Sequence, residues 1–216
     1  MFPKISPIIP VRRRDLFESA DWVYELKHDG FRALAYVGDG SCRFVSRRRN
    51  EMKRFADLAA RIAKELKVKD AVLDGEICAL DGDGKPAFYD LMKRRCQPVY
   101  YAFDILWLNG RDLRDLSLLE RKKILRKIIP RKSSWVGYVS YVDRGALKLF
   151  ELISKQDLEG LVAKQKDAKY TAQTLWYKIL NSTYTQKTGR QELFSKAVSC
   201  QPYAIVQMQS AHFSQL

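Results

Sequence analysis

The stretch YELKHDGFRALAYV, residues 24–37, decides how this chain is read. Two apolar runs, WVYEL (22–26) and FRALAYV (31–37), alternate in a way that predicts strands, with KHDG as their connection. A lysine at a strand end is ordinarily a solvated edge charge. Here Lys27 closes an apolar run and is followed at once by Asp29, Gly30 and Arg32. Gly30 permits close backbone approach or an unusual φ. The question is whether the rest of the chain supplies a reason for such a junction.

Working outward, GDGS turns the chain into a third strand, CRFVSR (42–47). Met52, Phe55, Leu58, Ala59, Ile62 and Leu66 then recur at helical spacing. AVLDGEICAL (71–80) predicts a strand closed by DGDG, and FYDLMKRR a short helix. VYYAFDILWL (99–108) is almost continuously apolar, which suits a central strand buried on both faces. Ser117 and Glu120 form a capping box opening an amphipathic helix with Leu118, Leu125, Ile128 and Ile129 on its core side. WVGYVSYV (135–142) predicts a strand, ALKLFELISK (146–155) a helix, and GLVAKQ (160–165) and TLWYKIL (174–180) the last two strands. Residues 1–20 predict an extended lead-in, and 195–216 a peripheral, poorly ordered tail. The class is α+β, with mostly antiparallel sheets flanked by helices.

Composition narrows the partners. Thirty-nine Lys+Arg against 25 Asp+Glu leave a formal charge of +14, which favours polyanions, nucleic acid before anionic membrane. Four scattered cysteines without a CxxC pair, and two histidines, argue against a zinc site and for free thiols in a reducing compartment. The prolines inside the apolar start, with the charges after it, reverse the order of a secretory signal. No apolar run reaches membrane-spanning length, so the expected location is cytoplasmic.

Five short motifs occur in one order: KHDGFR (27–32), LDGEI (73–77), AFDIL (102–106), EGLVAK (159–164) and WYKI (176–179). A lone KxDG is weak; five in order resemble the adenylation domain of ATP-dependent DNA ligases, particularly the bacterial end-joining type. The resemblance runs from about Pro7 to Phe194 and implies the ATP-grasp-like nucleotidyltransferase fold shared by ligases and capping enzymes. It implies that 1–194 form the adenylation domain, and that ATP, Mg²⁺ or Mn²⁺ and nicked or broken double-stranded DNA are the partners, with no membrane.

Residue by residue, the resemblance makes Lys27 the nucleophile that takes AMP as a phosphoramidate. An ordinary lysine is protonated at neutral pH, so neighbouring cations and metal are expected to lower its pKa. Asp29 matches the carboxylate that orients the loop, and Arg32 the residue that contacts the 5′-phosphate of a nick. Glu76 matches the ribose contact, and Phe103 the ring that stacks on adenine. Alone, Glu76 reads as a solvated turn and Phe103 as core. Glu159 matches the metal-holding carboxylate. Lys164 and Lys178 match cations that face the phosphates. Glu25 matches the glutamate that selects adenine over guanine, which argues against a capping guanylyltransferase. Arg47, in SRRRN (46–50), falls where ligases bind nucleotide or nicked DNA. VRRRD (11–15) and KRR (93–95) remain outside the site as candidate phosphate contacts.

Two features depart from the family pattern. The last motif usually reads K-x-K, whereas here Leu180 follows Lys178 and Ile179. Loss of one preorganised cation corresponds to about 10²–10³ in rate unless Lys164, Lys187 or Arg190 substitutes. Only 36 residues follow Leu180 (216 − 180), too few for the oligonucleotide-binding (OB) barrel expected next. Three explanations follow: an adenylation domain working with a separately encoded OB-fold or end-joining partner, a remnant whose frame ends early, or a nucleotide- and DNA-binding module that does not ligate.

Overall fold

The structure is a computed structural model that describes residues 2–82 and 84–188. The tail 195–216 therefore lies outside the described residues. In chain order the elements are β1 (Val11–Arg12), β2 (Trp22–Leu26), β3 (Phe31–Gly38), β4 (Ser41–Ser46), α1 (Ala56–Glu65, preceded by a 3₁₀ turn), β5 (Asp70–Cys78), α2 (Phe88–Met92) and β6 (Val99–Leu108). Then come β7 (Arg111–Asp112), α3 (Leu118–Ile128), β8 (Val136–Tyr138), β9 (Tyr141–Val142), α4 (Ala146–Lys155), β10 (Gly160–Gln165), β11 (Trp176–Leu180) and α5 (Thr185–Thr188).

They form two sheets. One has the order β1-β11-β10-β2-β9; the other has the order β4-β3-β5-β6-β7, with β8 parallel to β6. The inner faces meet through Leu34, Tyr36, Val72 and Leu106 from one sheet and Trp176 from the other, with Ile5 and Ile8 of the lead-in inserted beside them. The outer face of the five-stranded sheet buries Tyr24, Leu161, Ala163 and Ile179 under Leu149 and Ile153 of α4. The outer face of the six-stranded sheet buries Ala33, Leu73, Tyr100 and Ile105 under Leu58 and Ile62 of α1 and Leu125 of α3. Period-two alternation thus gives each strand one cleft-facing and one helix-facing row.

The capping box at Ser117 forms as expected: Ser117 N–H donates to Glu120 Oε2 at 2.9 Å, and Glu120 N–H donates to Ser117 Oγ at 3.3 Å. Residues 135–142 do not form one strand. β8 pairs with β6 in one sheet and β9 with β2 in the other, so the chain crosses between sheets at Val139 and Ser140. The lead-in is also more than a spacer, because β1 adds a parallel edge to β11, Val11 opposite Tyr177 and Arg12 opposite Lys178.

Candidate active site

The site lies where the two inner faces diverge. Lys27 immediately follows β2, and its backbone N–H donates to Gly160 O at 2.9 Å, which ties the loop to the start of β10. Its Nζ donates to Glu159 Oε2 at 2.7 Å, with both side chains about a fifth exposed (24% and 18%). Two glycines make this junction possible. A Cβ on Gly30 would lie 2.1 Å from Ile77 O, and one on Gly160, whose φ is +149°, would lie 2.2 Å from Ile179 O. The KHDG loop can therefore lie against β5 only because residue 30 lacks a side chain. Asp29 is buried and accepts from the Tyr184 hydroxyl at 3.1 Å, so the segment after the last motif holds the loop from below.

Across the cleft, β3 and β5 pair Arg32 with Glu76 and Leu34 with Asp74. Arg32 Nε and Nη2 donate to the two oxygens of Asp74 at 2.7 and 2.6 Å, and Tyr170 donates to the same carboxylate at 2.6 Å. Burial would lower the Arg32 pKa, but the charge of Asp74 outweighs it and raises it further. The Arg32 guanidinium sits 4.7 Å from the Phe103 ring centre, Lys164 Nζ sits 4.4 Å from it, and Trp176 meets the ring edge-on at 5.8 Å. Burial pushes the Glu76 carboxyl up to about 8; Lys27 and Arg32 oppose the shift, and Glu159 and Asp29 add to it. His28 stacks on Tyr101 at 4.5 Å, and burial next to Lys27 brings its pKa down to about 3, so it is a neutral ring.

Glu25 and Lys164 meet in a buried charge cluster. Glu25 is 2% exposed and holds Lys122 at 2.7 Å on one oxygen and Lys164 at 2.5 Å on the other. Lys164, 1% exposed, presents its ammonium to Glu25 and to the faces of Phe103 and Trp176. The physical reason is charge balance: a buried Glu25 requires a partner, and Lys164, on the adjoining strand, is within reach. Lys122 was missed by sequence reasoning because ERKK on a capped helix reads as a solvated run. Asp74 was legible in principle, since alternation in LDGEI sets it on the same face as Glu76.

The register of β10 and β11 places Lys178 opposite Val162, and Leu180 opposite Gly160, beside the Lys27 backbone. Leu180, where the family pattern has a second cation, thus stands one strand away from the nucleophile loop, with Gly160 between them. Arg47 is exposed and lies in the turn that follows β4, one residue past the Ala33–Ser46 pair. Arg190 and the Lys187 side chain lie outside the described residues. No cluster of three or more His, Cys, Asp or Glu that could hold a metal occurs among the described residues. The donors still suit magnesium, which keeps most of its waters and takes one or two carboxylates plus substrate phosphates: Glu159 is at the cleft mouth, and Glu76 is near enough to feel its charge and that of Asp29.

A lysine paired with a carboxylate at the mouth of a two-sheet cleft, facing an aromatic and a buried glutamate, is the arrangement of a nucleotidyltransferase domain. Residues 12–179 match the family described as "ATP dependent DNA ligase domain". The chain is 33% identical over 192 residues to DNA ligase 2 of Methanosarcina acetivorans, covering 79% of this chain and 33% of that protein. It is 33% identical over 156 residues to the multifunctional non-homologous end joining DNA repair protein LigD of Mycobacterium tuberculosis, covering 71% and 20%. A third relative, the SPbeta prophage-derived DNA ligase-like protein LigB of Bacillus subtilis, is 27% identical over 193 residues, with 84% and 69% covered. Among solved structures, mycobacterial DNA ligase D complexed with ATP and MES superposes with a TM-score of 0.70 at 25% identity, covering 81% of this chain and 60% of that one. The chain belongs to the ATP-dependent DNA ligase family, as its adenylation domain. It spans a third of the archaeal relative and a fifth of the mycobacterial one. Among the described residues no helix is long and apolar enough to cross a membrane.

Proposed function

We propose that this domain attaches AMP to Lys27 and passes it to the 5′-phosphate of nicked or broken DNA for strand joining in repair. Lys27 Nζ attacks the α-phosphorus of ATP; a P–N bond forms, the P–O bond to pyrophosphate breaks, and Nζ gives up its proton. AMP then moves to the DNA 5′-phosphate, from which a 3′-hydroxyl displaces it. The observation that carries this reading is Lys27 Nζ 2.7 Å from Glu159 at the cleft mouth, in a chain of this family.

The remaining roles follow from position. Glu159 would hold Mg²⁺ or Mn²⁺, which supplies Lewis-acid polarisation of the phosphate when bound. Releasing Glu159 from Lys27 also frees the amine to lose its proton. Glu76, mostly protonated near neutral pH, is suited to hydrogen-bond a ribose hydroxyl. Phe103 would stack on the base, and Glu25 would read it while held by Lys122 and Lys164. Lys178 faces the phosphates. Arg32 has Nε and Nη2 on Asp74, which leaves Nη1 for a phosphate, and Arg47, in the exposed turn after β4, would be a further contact to nucleotide or DNA.

A second reading, a domain that binds nucleotide and DNA without efficient transfer, is favoured by Leu180 in place of a cation. The test is incubation with ATP labelled on the α-phosphate, followed by a denaturing gel and intact mass. One AMP is expected on wild type, none on Lys27→Ala, and little on Glu159→Ala even at raised metal. A persistent adduct on Lys27→Ala would remove the nucleophile from this account. An unlabelled wild type that still binds DNA would select the second reading.

A further inference from the structure

On the outer side of the six-stranded sheet, away from the cleft, lies a cavity of about 340 Å³ lined by Arg54, Arg61, Arg94, Phe55 and Trp135, with Asp57 as its carboxylate. Its three arginines come from separate places in the chain: Arg54 from the turn before α1, Arg61 from α1 itself, and Arg94 from the segment after α2. Two of its guanidiniums are set in place. Arg54 Nη2 donates to Leu91 O at 2.7 Å and Met92 O at 3.0 Å, carbonyls at the end of α2, and its charge lies over Phe31 and Phe55. Arg61 lies over the Trp135 ring at 4.0 Å.

Among the described residues none of Arg54, Arg61 and Arg94 has a carboxylate within ion-pair distance. Partial burial and the neighbouring charge of Arg94 hold the Arg54 pKa below its ordinary value, so the cations repel one another. Such a cluster is at its lowest free energy with an anion between the guanidiniums. Phe31 forms the bridge to the active site: it packs on Phe55 at 5.7 Å, receives Arg54 at 5.1 Å, and is the residue between Gly30 and Arg32.

We propose that this cavity seats a backbone phosphate of the DNA strand, a second anchor that grips the duplex independently of the nucleophile cleft. The occupant rests on the functional reading above; the anion preference rests on the cavity alone. Unpaired guanidiniums around a cavity match a phosphodiester in charge, and stacking on Trp135 and Phe55 holds two of them in place for it. The contact would be indifferent to base sequence, since positioning phosphates carry no code.

The test is anisotropy of a labelled nicked duplex against the whole chain across a salt series. For Arg61→Ala/Arg94→Ala the slope of log K against log salt is expected to shrink by about 0.9, with affinity down about tenfold or more, one phosphate contact being removed. Lys148→Ala/Lys155→Ala, on the exposed face of α4, removes the same charge elsewhere and is expected to stay within about twofold of wild type. Equal losses in both variants, or none in the first, would overturn the proposal. Pyrophosphate alone is the second arm. If it raises the melting temperature of wild type but not of Arg61→Ala/Arg94→Ala, while DNA binding is unchanged between the two, the cavity serves a small anion and the DNA assignment falls. AMP labelling of Lys27 separates the two claims: DNA binding that depends on the cavity without labelling sinks the transferase reading alone, and normal labelling with cavity-indifferent DNA binding sinks this one alone.

Discussion

The buried cluster of Glu25, Lys122 and Lys164 contains one negative and two positive groups, each at most 2% exposed. That imbalance makes the three positions unequal. Glu25→Gln leaves two buried ammonium groups with no counter-charge, and breaking a buried pair in this way costs about 3–5 kcal/mol. In a domain of this size that lowers the melting temperature by about 10–15 °C. Lys122→Met leaves a one-to-one pair between Glu25 and Lys164. It loses the hydrogen bond to Val139 O, 2.6 Å, a loss of about 1–3 kcal/mol, and is relieved of a surplus charge. The net change should therefore be the smaller of the two, about 2 kcal/mol at most near pH 7.

The pH profile sharpens the contrast. Burial brings the Lys122 pKa down from 10.5 to about 8, Glu25 opposing the shift. The folded chain therefore releases this proton before the unfolded chain does. Between those values the unfolded state binds more protons, so the contribution of Lys122 to stability rises with pH across the window and is level on either side. The span is 10.5 − 8 = 2.5 units, which is about 3 kcal/mol. Urea denaturation of wild type and Lys122→Met at stepped pH from about 7 to 11 measures it. The difference, wild type minus variant, should grow by that amount. Parallel profiles, or a Lys122→Met loss as large as that of Glu25→Gln, would refute the charge-balance reasoning.

Two further outcomes follow from the cleft. Leu180→Lys puts a cation on the strand face shared with Lys178, opposite Gly160, and should raise the initial rate of self-adenylylation by about 10- to 100-fold without changing DNA affinity beyond that of one added charge; an unchanged rate would show that the absent cation is replaced elsewhere. Gly160→Ala forces a Cβ to within 2.2 Å of a carbonyl at φ +149°, so strand β10 must part from β11. A stability loss of about 3 kcal/mol or more is expected by chemical denaturation, and a loss under about 1 kcal/mol would contradict the strand geometry described.

Much of this protein was legible in its residues before any fold was known. Strand alternation and helical spacing are local properties, so the element order, the capping box at Ser117 and the inward rows of β2, β3 and β5 could be read directly. The ordered motifs singled out Lys27 and Glu159, which lie 132 positions apart and meet at 2.7 Å. What could not be read was which partner each buried charge would find. Arg121, fully buried on Asp104, and Lys122 on Glu25 lie in a stretch, ERKK, whose local pattern is that of a solvated helix face. That Lys164 is also tied to Glu25 depends on the register of β10 against β2, which no local pattern reveals. The split of residues 135–142 between two sheets, and the meeting of Arg54, Arg61 and Arg94 around one cavity, likewise depend on contacts between distant segments. Local spacing determines which way a side chain can point; only the closed fold determines what stands opposite it, because the free energy of a buried charge is set by its neighbours in space.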